Sequence, residues 1–326
     1  MTVTAETRSS RSNPRRGWRG LFRAHTTPGG LRWILPGFVL SVGLIYYCIG
    51  YSGYLSLFKW GGGKQKMTWV GLDNFRQAFD NPVFWASLRH TLFFFVVVYV
   101  VQVVGGVLFA SVMHSQLYFK TLYKIIIFIP VVIAPAIMAP AHIQVWSTKG
   151  TVNQILSNLG LESLTRGWIG QASTSLLVVT LVQCWGAVGF GFILYYAAIG
   201  QIDPEVMEAA RIDGAGNLRA LISIVLPEVR PTTVSLGILN FITALKLFDN
   251  PWLLTQGGPA HSSEFLGTMI YSQMVQQKRN LGYACALSMV LLVVAVVTSV
   301  IIQLRGRERD PQTRKRTRRK AEEVAI

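Results

Sequence analysis

The sequence is poor in charged side chains, and poorest in acidic ones. Only 14% of its 326 residues are charged, whereas a typical soluble protein has about 25%. The 15 acidic residues are outnumbered by 31 Lys and Arg, and the mean hydropathy is +0.39. Too little charge is present to cover the surface of a soluble protein of this size, which excludes a soluble enzyme and a disordered tail protein.

Cysteine is scarce as well. Cys48, Cys184 and Cys285 all lie in apolar stretches, and none has metal-ligand spacing with a neighbour. Such thiols behave as small apolar side chains, so we predict neither a disulfide scaffold nor a metal site. The five His form no cluster, and Gly61–Lys64 is followed by Gln65 rather than by Ser or Thr, so it is not a nucleotide-binding loop. No catalytic residue is predicted.

Long uncharged runs are what the sequence does contain. A helix needs about 20 apolar residues to cross a bilayer, and six segments fit this requirement. The prediction is an all-α membrane protein with six transmembrane helices. The predicted spans are 34–57, 91–113, 122–146, 175–199, 232–254 and 282–304.

Two of these spans contain residues that are unusual in a transmembrane helix. The third has Pro130, Pro135 and Pro140, and a proline inside a helix removes a hydrogen bond and kinks it, so we expect an interior, broken helix. The fifth has Lys246 and Asp249, which could pair because they lie three residues apart on a helix. We expect a structural ion pair there, with a role in gating or solute passage as the alternative.

The basic residues are distributed unevenly. If both termini lie on one side of the membrane, 21 of the 31 Lys and Arg fall in the tails and in the loops 114–124 and 200–231. The positive-inside rule then places both termini and these loops in the cytoplasm. We expect a basic tail over 1–32, a membrane domain over 33–304 and a second basic tail over 305–326. The tails would contact anionic lipid rather than nucleic acid.

The loop 200–231 is the least membrane-like stretch between spans, yet its residues are ordered as two helices. Asp203 can cap a helix that begins with Pro204, and Gly214 breaks it. A second amphipathic helix is predicted over 217–226, ended by prolines. This pattern predicts a helix–glycine–helix elbow, and the alternative is a linker lying on the bilayer surface. The apolar face of the second helix would be Leu218, Leu221, Ile222 and Val225, and the prolines are Pro227 and Pro231.

The residue spacing in this loop is typical of a known family. Glu208-Ala209-Ala210 is followed after three residues by Gly214, and Ile224 and Leu226-Pro227 come at the expected distance beyond it. The pattern resembles the EAA loop of inner-membrane permease subunits of bacterial ABC importers. Further segments resemble carbohydrate-type permeases, in the same order along the chain. They are Val70–Phe75, Phe248-Asp249, Thr255–Pro259 and Gly282–Ala286.

The resemblance implies a type I ABC importer permease fold with both termini cytoplasmic and a core over 86–304. It also implies that this chain binds no cofactor, because ATP and Mg are bound by a separate cytoplasmic ATPase homodimer. The other implied partners are a second homologous permease and an extracytoplasmic solute-binding protein. The residues expected to couple this chain to the ATPase are Glu208, Ala209, Ala210, Asp213, Gly214 and Pro227.

Polar and aromatic side chains of the fourth and fifth spans are candidates for the solute path. Amides and hydroxyls can hydrogen-bond a sugar, and aromatic rings can stack on it. In related sugar permeases the helices that flank the EAA loop line this path. The alternative interpretation is helix packing, to which small and polar residues also contribute. The candidates are Gln183, Trp185, Gly186, Phe190, Asn240 and Thr243.

Two other functions are weighed against a sugar importer. An importer of a polyol or glycerol phosphate is the first, but a phosphate favours basic residues along the path, and only Lys246 is available. A self-contained secondary transporter is the second. It would need inverted repeats and buried carboxylates, whereas Asp249 is the only acidic residue within a span and no repeat is visible.

Overall fold

The computed structural model describes residues 28–115, 118–275 and 279–307. The chain divides into two compact units, of which one ends at Tyr51 and the other begins at Ser52. The regular secondary structure of these residues is helical, apart from one short antiparallel pair of strands. In this pair, β1 (Phe58–Lys59) faces β2 (Thr68–Trp69). The basic tails lie almost entirely outside the described residues. The helices are α1 (Pro28–Leu55), α2 (Asp73–Asp80), α3 (Pro82–His114), α4 (Lys120–Val132), α5 (Pro135–Val145), α6 (Thr151–Asn158), α7 (Ser175–Ile199), α8 (Pro204–Ile212), α9 (Asn217–Ala220), α10 (Leu226–Glu228), α11 (Arg230–Leu245), α12 (Asp249–Thr255), α13 (Leu266–Val275) and α14 (Leu281–Arg307).

Several of these helices are long and apolar enough to cross a membrane. Among the described residues, four single helices meet this requirement. Two bent helix pairs raise the number to six if each pair is one span. The prediction of a helical, multi-pass membrane protein is therefore confirmed, while the number six stays a prediction. The single helices contain Ile34–Leu55, Pro82–His114, Ser175–Ile199 and Leu281–Ile301, and the bent pairs are α4 with α5 and 217–228 with α11.

The third predicted span is broken, as expected. Helices α4 and α5 meet at 97°, and Ala134 between them is extended, with φ −61° and ψ 139°. A residue that precedes a proline is disfavoured in helical geometry, so Pro135 can begin a helix but the turn before it cannot continue one. The expected interior position is not seen in the single chain, where Ala139 is the buried residue of this span.

The fifth predicted span is shorter than expected. Helix α11 ends at Leu245 and α12 begins at Asp249, so Lys246 and Asp249 do not share a helix. A helix that ran on through Pro251 would lose a hydrogen bond and clash with the preceding turn. Both charged side chains are exposed, and the predicted ion pair between them is wrong. The ion pairs among the described residues are Arg76–Asp80 and His261–Glu264.

Helices α3 and α7 form the most extensive helix contact among the described residues of the second unit, and glycines let their backbones approach. A Cβ added to Gly106 would lie 2.9 Å from the carbonyl carbon of Gly191. Buried Val107, Tyr195 and Val229 belong to one hydrophobic cluster along this contact. The cluster joins α3 and α7 to the start of α11, so these helices form one packed body.

Candidate functional site

The loop between α7 and α11 begins with the short helix α8. The Asp203 Oδ1 accepts a hydrogen bond from the backbone N–H of Glu205 at 3.0 Å, and Pro204 occupies the first turn. Proline costs no hydrogen bond at that position, since the first N–H groups of a helix have no partner within it. The helix therefore begins where the sequence predicts.

Gly214 ends α8 with a left-handed backbone, at φ +78°. Its N–H donates to the Arg211 carbonyl at 3.0 Å, and the N–H of Ala215 donates to the Ala210 carbonyl at 2.9 Å. These two bonds make a Schellman helix end. No atom lies within 4 Å of a Cβ added to Gly214, so the backbone angle, and not the available space, favours glycine here.

Helix α8 has an inner side and an outer side. Met207 packs against the hydrophobic cluster of α3 and α7, whereas Ile212 is 86% exposed. The outer side thus combines charged, small and apolar groups that the other described residues leave uncovered. Of the predicted coupling residues in this part, Glu208, Ala209, Asp213 and Gly214 are exposed and Ala210 is half-buried.

The second helix of the elbow differs from the prediction. It continues past Pro227 to Glu228 and contains a π-helical turn over Leu221–Val225, in which the Leu226 N–H donates to the Leu221 carbonyl. Such a wide turn occurs as a local bulge in α-helices, and here it immediately precedes the proline that lacks an N–H. Exposed Pro227 therefore lies within the helix instead of ending it.

The face of this second helix is also shifted from the predicted one. Val225 and Val229 are buried in the hydrophobic cluster of α3 and α7, whereas Leu218 is 69% and Ile222 55% exposed. The extra residue in the π-helical turn changes which positions share a side. Two of the four predicted face residues therefore point away from the core of the chain.

A cavity of about 260 Å³ lies between α3, α7, α11 and the broken third span; we call it the central cavity. All six residues predicted for the solute path border it, from two helices that are far apart in sequence. Asn240 is buried, whereas the other five are half-buried or exposed. They are Gln183, Trp185, Gly186, Phe190, Asn240 and Thr243.

Three further polar residues border the central cavity that the sequence reasoning missed. Buried Gln102 accepts a hydrogen bond from the Asn240 Nδ2 on its Oε1 at 2.8 Å, and Asn250 donates likewise to the Gln183 Oε1. The His142 ring lies edge-on to Trp185, with 5.6 Å between ring centroids. Gln102 had a signal in the sequence, because it is the one amide in the apolar run 91–113.

The described lining of the central cavity offers hydrogen bonds and ring faces, and His142 is its titratable side chain. Among the described residues that line it there is no Asp, Glu, Lys or Arg. In the same part of the chain, no group of three His, Cys, Asp or Glu side chains is placed to hold a metal ion. The chemistry available at this site is therefore recognition by amides, a hydroxyl, an imidazole and aromatic rings.

Comparison with known proteins assigns the chain to a family. The sequence profile described as "binding-protein-dependent transport system inner membrane component" matches residues 102–309. The chain belongs to this family. The match includes α7, the elbow and α11, and it begins at Gln102 of the central cavity.

Individual members of the family are similar over most of their length. The probable ABC transporter permease protein YurN of Bacillus subtilis (strain 168) is 33% identical over 82% of this chain and 92% of its own. The diacetylchitobiose uptake system permease protein NgcF of Streptomyces coelicolor is 31% identical over 93% of this chain and 90% of its own. The predicted ABC importer permease of the inner membrane is thereby confirmed.

A solved structure has the same fold. It is a crystal structure of a bacterial ABC transporter involved in the import of the acidic polysaccharide alginate. The similarity covers 85% of this chain and 96% of the other, with a TM-score of 0.71 and 24% sequence identity. The expectation of an ABC importer permease fold is thus confirmed at the level of architecture.

Proposed function

We propose that this chain is one of two permease subunits of an ATP-driven importer for a sugar or oligosaccharide. The observation that carries the proposal is the central cavity, whose described wall combines amides and aromatic rings without Asp, Glu, Lys or Arg. A family member that is 31% identical is named for diacetylchitobiose uptake, which supports a carbohydrate solute. Lys246, the basic residue of the fifth predicted span, does not line the cavity, so a glycerol phosphate is not favoured.

The proposed importer contains three other kinds of subunit. A second permease would complete the translocation path, and an extracytoplasmic binding protein would deliver the solute. A cytoplasmic ATPase homodimer would bind ATP and Mg, so this chain itself would carry no cofactor and perform no catalysis. We propose six spans within 33–304 and a core over 86–304. Both termini would be cytoplasmic, and the basic tails over 1–32 and 305–326 would lie against lipid.

The elbow is the proposed contact with the ATPase. Exposed Glu208 would make a polar contact, while Ala209 and Ala210 would let the partner surface approach closely. Gly214 would provide the bend after α8, with Asp213 beside it, and Pro227 would fix the second helix. Exposed Ile212 and Leu218 are apolar groups that such a partner would cover.

Movement of the elbow would reach the central cavity through packed side chains. Met207 of α8 and Val225 and Val229 beyond it pack in the same cluster as Tyr195 of α7. Helix α7 also carries Gln183, which borders the cavity. Closure of the ATPase dimer would therefore turn α7 between inward- and outward-facing states, a two-state rearrangement.

Replacing cavity amides tests the proposed solute path. Gln183→Leu and Asn240→Leu each remove a hydrogen-bonding group and keep the approximate size of the side chain. A neutral hydrogen bond contributes about 1 kcal/mol net, and more where a buried partner is stranded, so we expect sugar uptake to fall several-fold to about tenfold. Uptake by the full importer in proteoliposomes, at solute concentrations below saturation, measures the loss.

The matched control is Gln154→Leu in α6. The Gln154 Nε2 donates to the Lys149 carbonyl and the side chain is exposed away from the cavity, so uptake should stay at the level of the unmodified complex. Normal uptake in both cavity variants, with the complex intact, would indicate that Gln183 and Asn240 serve helix packing and do not contact the solute.

A further inference from the structure

The central cavity is bordered by two side-chain amide pairs with the same arrangement. In the first, the Asn240 Nδ2 of α11 donates to the Gln102 Oε1 of α3. In the second, the Asn250 Nδ2 of α12 donates to the Gln183 Oε1 of α7. Each pair joins two helices that are distant in sequence, and in each an Asn donates to a Gln. The pairs therefore fix four carboxamides at the edge of one space.

Each pair keeps two polar groups unused. An amide side chain has one carbonyl acceptor and an NH2 donor group. Among the described residues, the Nε2 groups of Gln102 and Gln183 and the Oδ1 atoms of Asn240 and Asn250 have no hydrogen-bond partner. Among the described residues, the Ser111 Oγ is the fully buried side-chain polar atom that has no hydrogen-bond partner. The four unpaired amide groups are therefore not fully buried, and open space reaches them. The open space that all four residues border is the central cavity.

The unused groups suit the hydroxyls of a sugar ring. A hydroxyl both donates and accepts a hydrogen bond, so two neighbouring hydroxyls can accept from a Gln NH2 and donate to an Asn carbonyl. Trp185 and Phe190 border the same space and offer apolar surface for the C–H face of the ring. A solute that fills the cavity must replace the hydrogen bonds that these amides can make with water, because an unpaired polar group away from water is costly. The hydroxyls of a sugar can do so.

The described wall of the cavity has no Lys or Arg side chain to balance the charge of a carboxylate, sulfate or phosphate. Lys246 is exposed outside the cavity. An ion moved out of water without a partner pays a large desolvation cost. The wall thus distinguishes an uncharged saccharide from an acidic one of similar shape.

We propose that the two amide pairs recognise vicinal hydroxyls of an uncharged saccharide and that Gln102 and Asn250 are specificity-determining residues of this permease. The inference rests on the proposed function, since it names the class of solute that the same cavity accepts. It separates this chain from the alginate importer, whose fold it shares and whose polysaccharide is acidic.

The first experiment measures which charge class is transported. Cells that carry the full importer are offered neutral disaccharides, the uronic acids with the same linkages, and disaccharide phosphates, and the uptake of each is compared with that of cells lacking this chain. We expect uptake only within the neutral series. Uptake of a uronic acid or a phosphate would overturn the inference while leaving the proposed importer in place. Uptake from none of the three series would contradict the proposed function itself.

The second experiment tests whether the amides hydrogen-bond the hydroxyls of the transported sugar. Gln102→Met and Asn250→Leu are compared with the unmodified complex, using the transported sugar and its single deoxy analogues. In the unmodified complex at least one deoxy analogue should show a KM about five- to tenfold higher. In the variant that lacks the matching amide, the sugar and that analogue should have the same KM. The binding protein is identical in all complexes, so its own preference cancels.

Gln154→Met is the control, because this exposed amide bonds within its own loop region. It should leave the full pattern of analogue preferences unchanged. A purely structural role for Gln102 and Asn250 would reduce uptake of the sugar and of every analogue by one common factor. That outcome would overturn the inference, even if uptake fell strongly.

Discussion

Three glycines of α7 illustrate how one residue type serves different needs. A Cβ on Gly191 would lie 2.8 Å from both the Cγ and the carbonyl oxygen of Gln102, so the backbone of α3 excludes it. A Cβ on Gly189 would meet the Ile127 carbonyl oxygen even more closely. Gly186 borders the central cavity, and its nearest contact would be 3.8 Å away, at the Pro130 carbonyl. Gly189 and Gly191 therefore permit packing, whereas Gly186 leaves open space in the central cavity.

This difference predicts opposite results for two alanine substitutions. Gly191→Ala should destabilise the protein by about 1–3 kcal/mol, because a well-packed contact must shift to accept the methyl group. Gly186→Ala should leave stability unchanged, since its methyl group meets only ordinary contacts. Thermal unfolding of the detergent-purified complex measures both, and equal melting temperatures for the two variants would contradict the packing account.

At the level of single residues, the sequence predicted part of the lining of the central cavity. Gln183 and Asn240 were identified because polar groups are rare in apolar spans that flank the elbow. Gln102 is equally rare as an amide in its apolar run, but that run does not flank the elbow, so Gln102 was missed. Its contact with Asn240, 138 residues away, is encoded by no local pattern. Asn250 was missed because the fifth span was predicted to run to 254 as one helix. The helix instead ends at Leu245, and the chain that follows brings Asn250 to the cavity.

Among the elements, α8 was predictable and the helix after it was not. Helix α8 has local signals at both ends, in Asp203, Pro204 and Gly214, and its observed bounds follow them. The π-helical turn before Pro227 depends on how Val225 and Val229 fit a core formed by other helices. Only the folded chain settles such a fit, so the buried face was wrong in the prediction.

The elbow gives a prediction at the scale of one element. Gly214→Val should misdirect the second helix, because a β-branched residue at φ +78° is strained by about 1–3 kcal/mol. We expect normal amounts of protein in the membrane, weaker retention of the ATPase on purification, and loss of solute-stimulated ATP hydrolysis. Glu208→Lys should give the same phenotype by placing a cation opposite any basic group of the ATPase.

Two control variants lie in the same element. Gly216→Val is matched in size and place, and Gly216 has the extended angles φ −68° and ψ 166° with open space around it. Glu228→Lys makes the same charge change at the exposed end of the second helix. Both should retain coupled ATP hydrolysis. Full coupling in Gly214→Val and Glu208→Lys as well would show that the elbow is a passive linker.

For the whole molecule, the distribution of Lys and Arg predicts the orientation in the membrane. Helix α7, which is long and apolar enough to span a membrane, lies between two exposed residues, Ala172 before it and Gln201 after it. The loop that contains Gln201 belongs to the basic set of connections, so we expect it in the cytoplasm. Ala172 should then face the outside.

Cysteine labelling checks this orientation. In a background without Cys48, Cys184 and Cys285, Ala172→Cys should react with an impermeant maleimide in intact cells. Gln201→Cys should react only after the membrane is opened. The reverse pattern would invert the proposed topology, and labelling of both from outside would mean that α7 does not span.

The anchoring of the elbow also limits which part of it can be exchanged between importers. Residues 203–215 leave the outer side of α8 exposed and contribute Met207 to the interior. Under the proposed docking, this piece would form a separable cassette. The segment beyond it carries Val225 and Val229, which fill the interior between α3, α7 and α11. A chimera that takes only the cassette would acquire another importer's ATPase preference, whereas one that takes 200–231 must bring a compatible interior with it. Docking specificity and internal packing would thus be determined by two separate segments of one continuous loop.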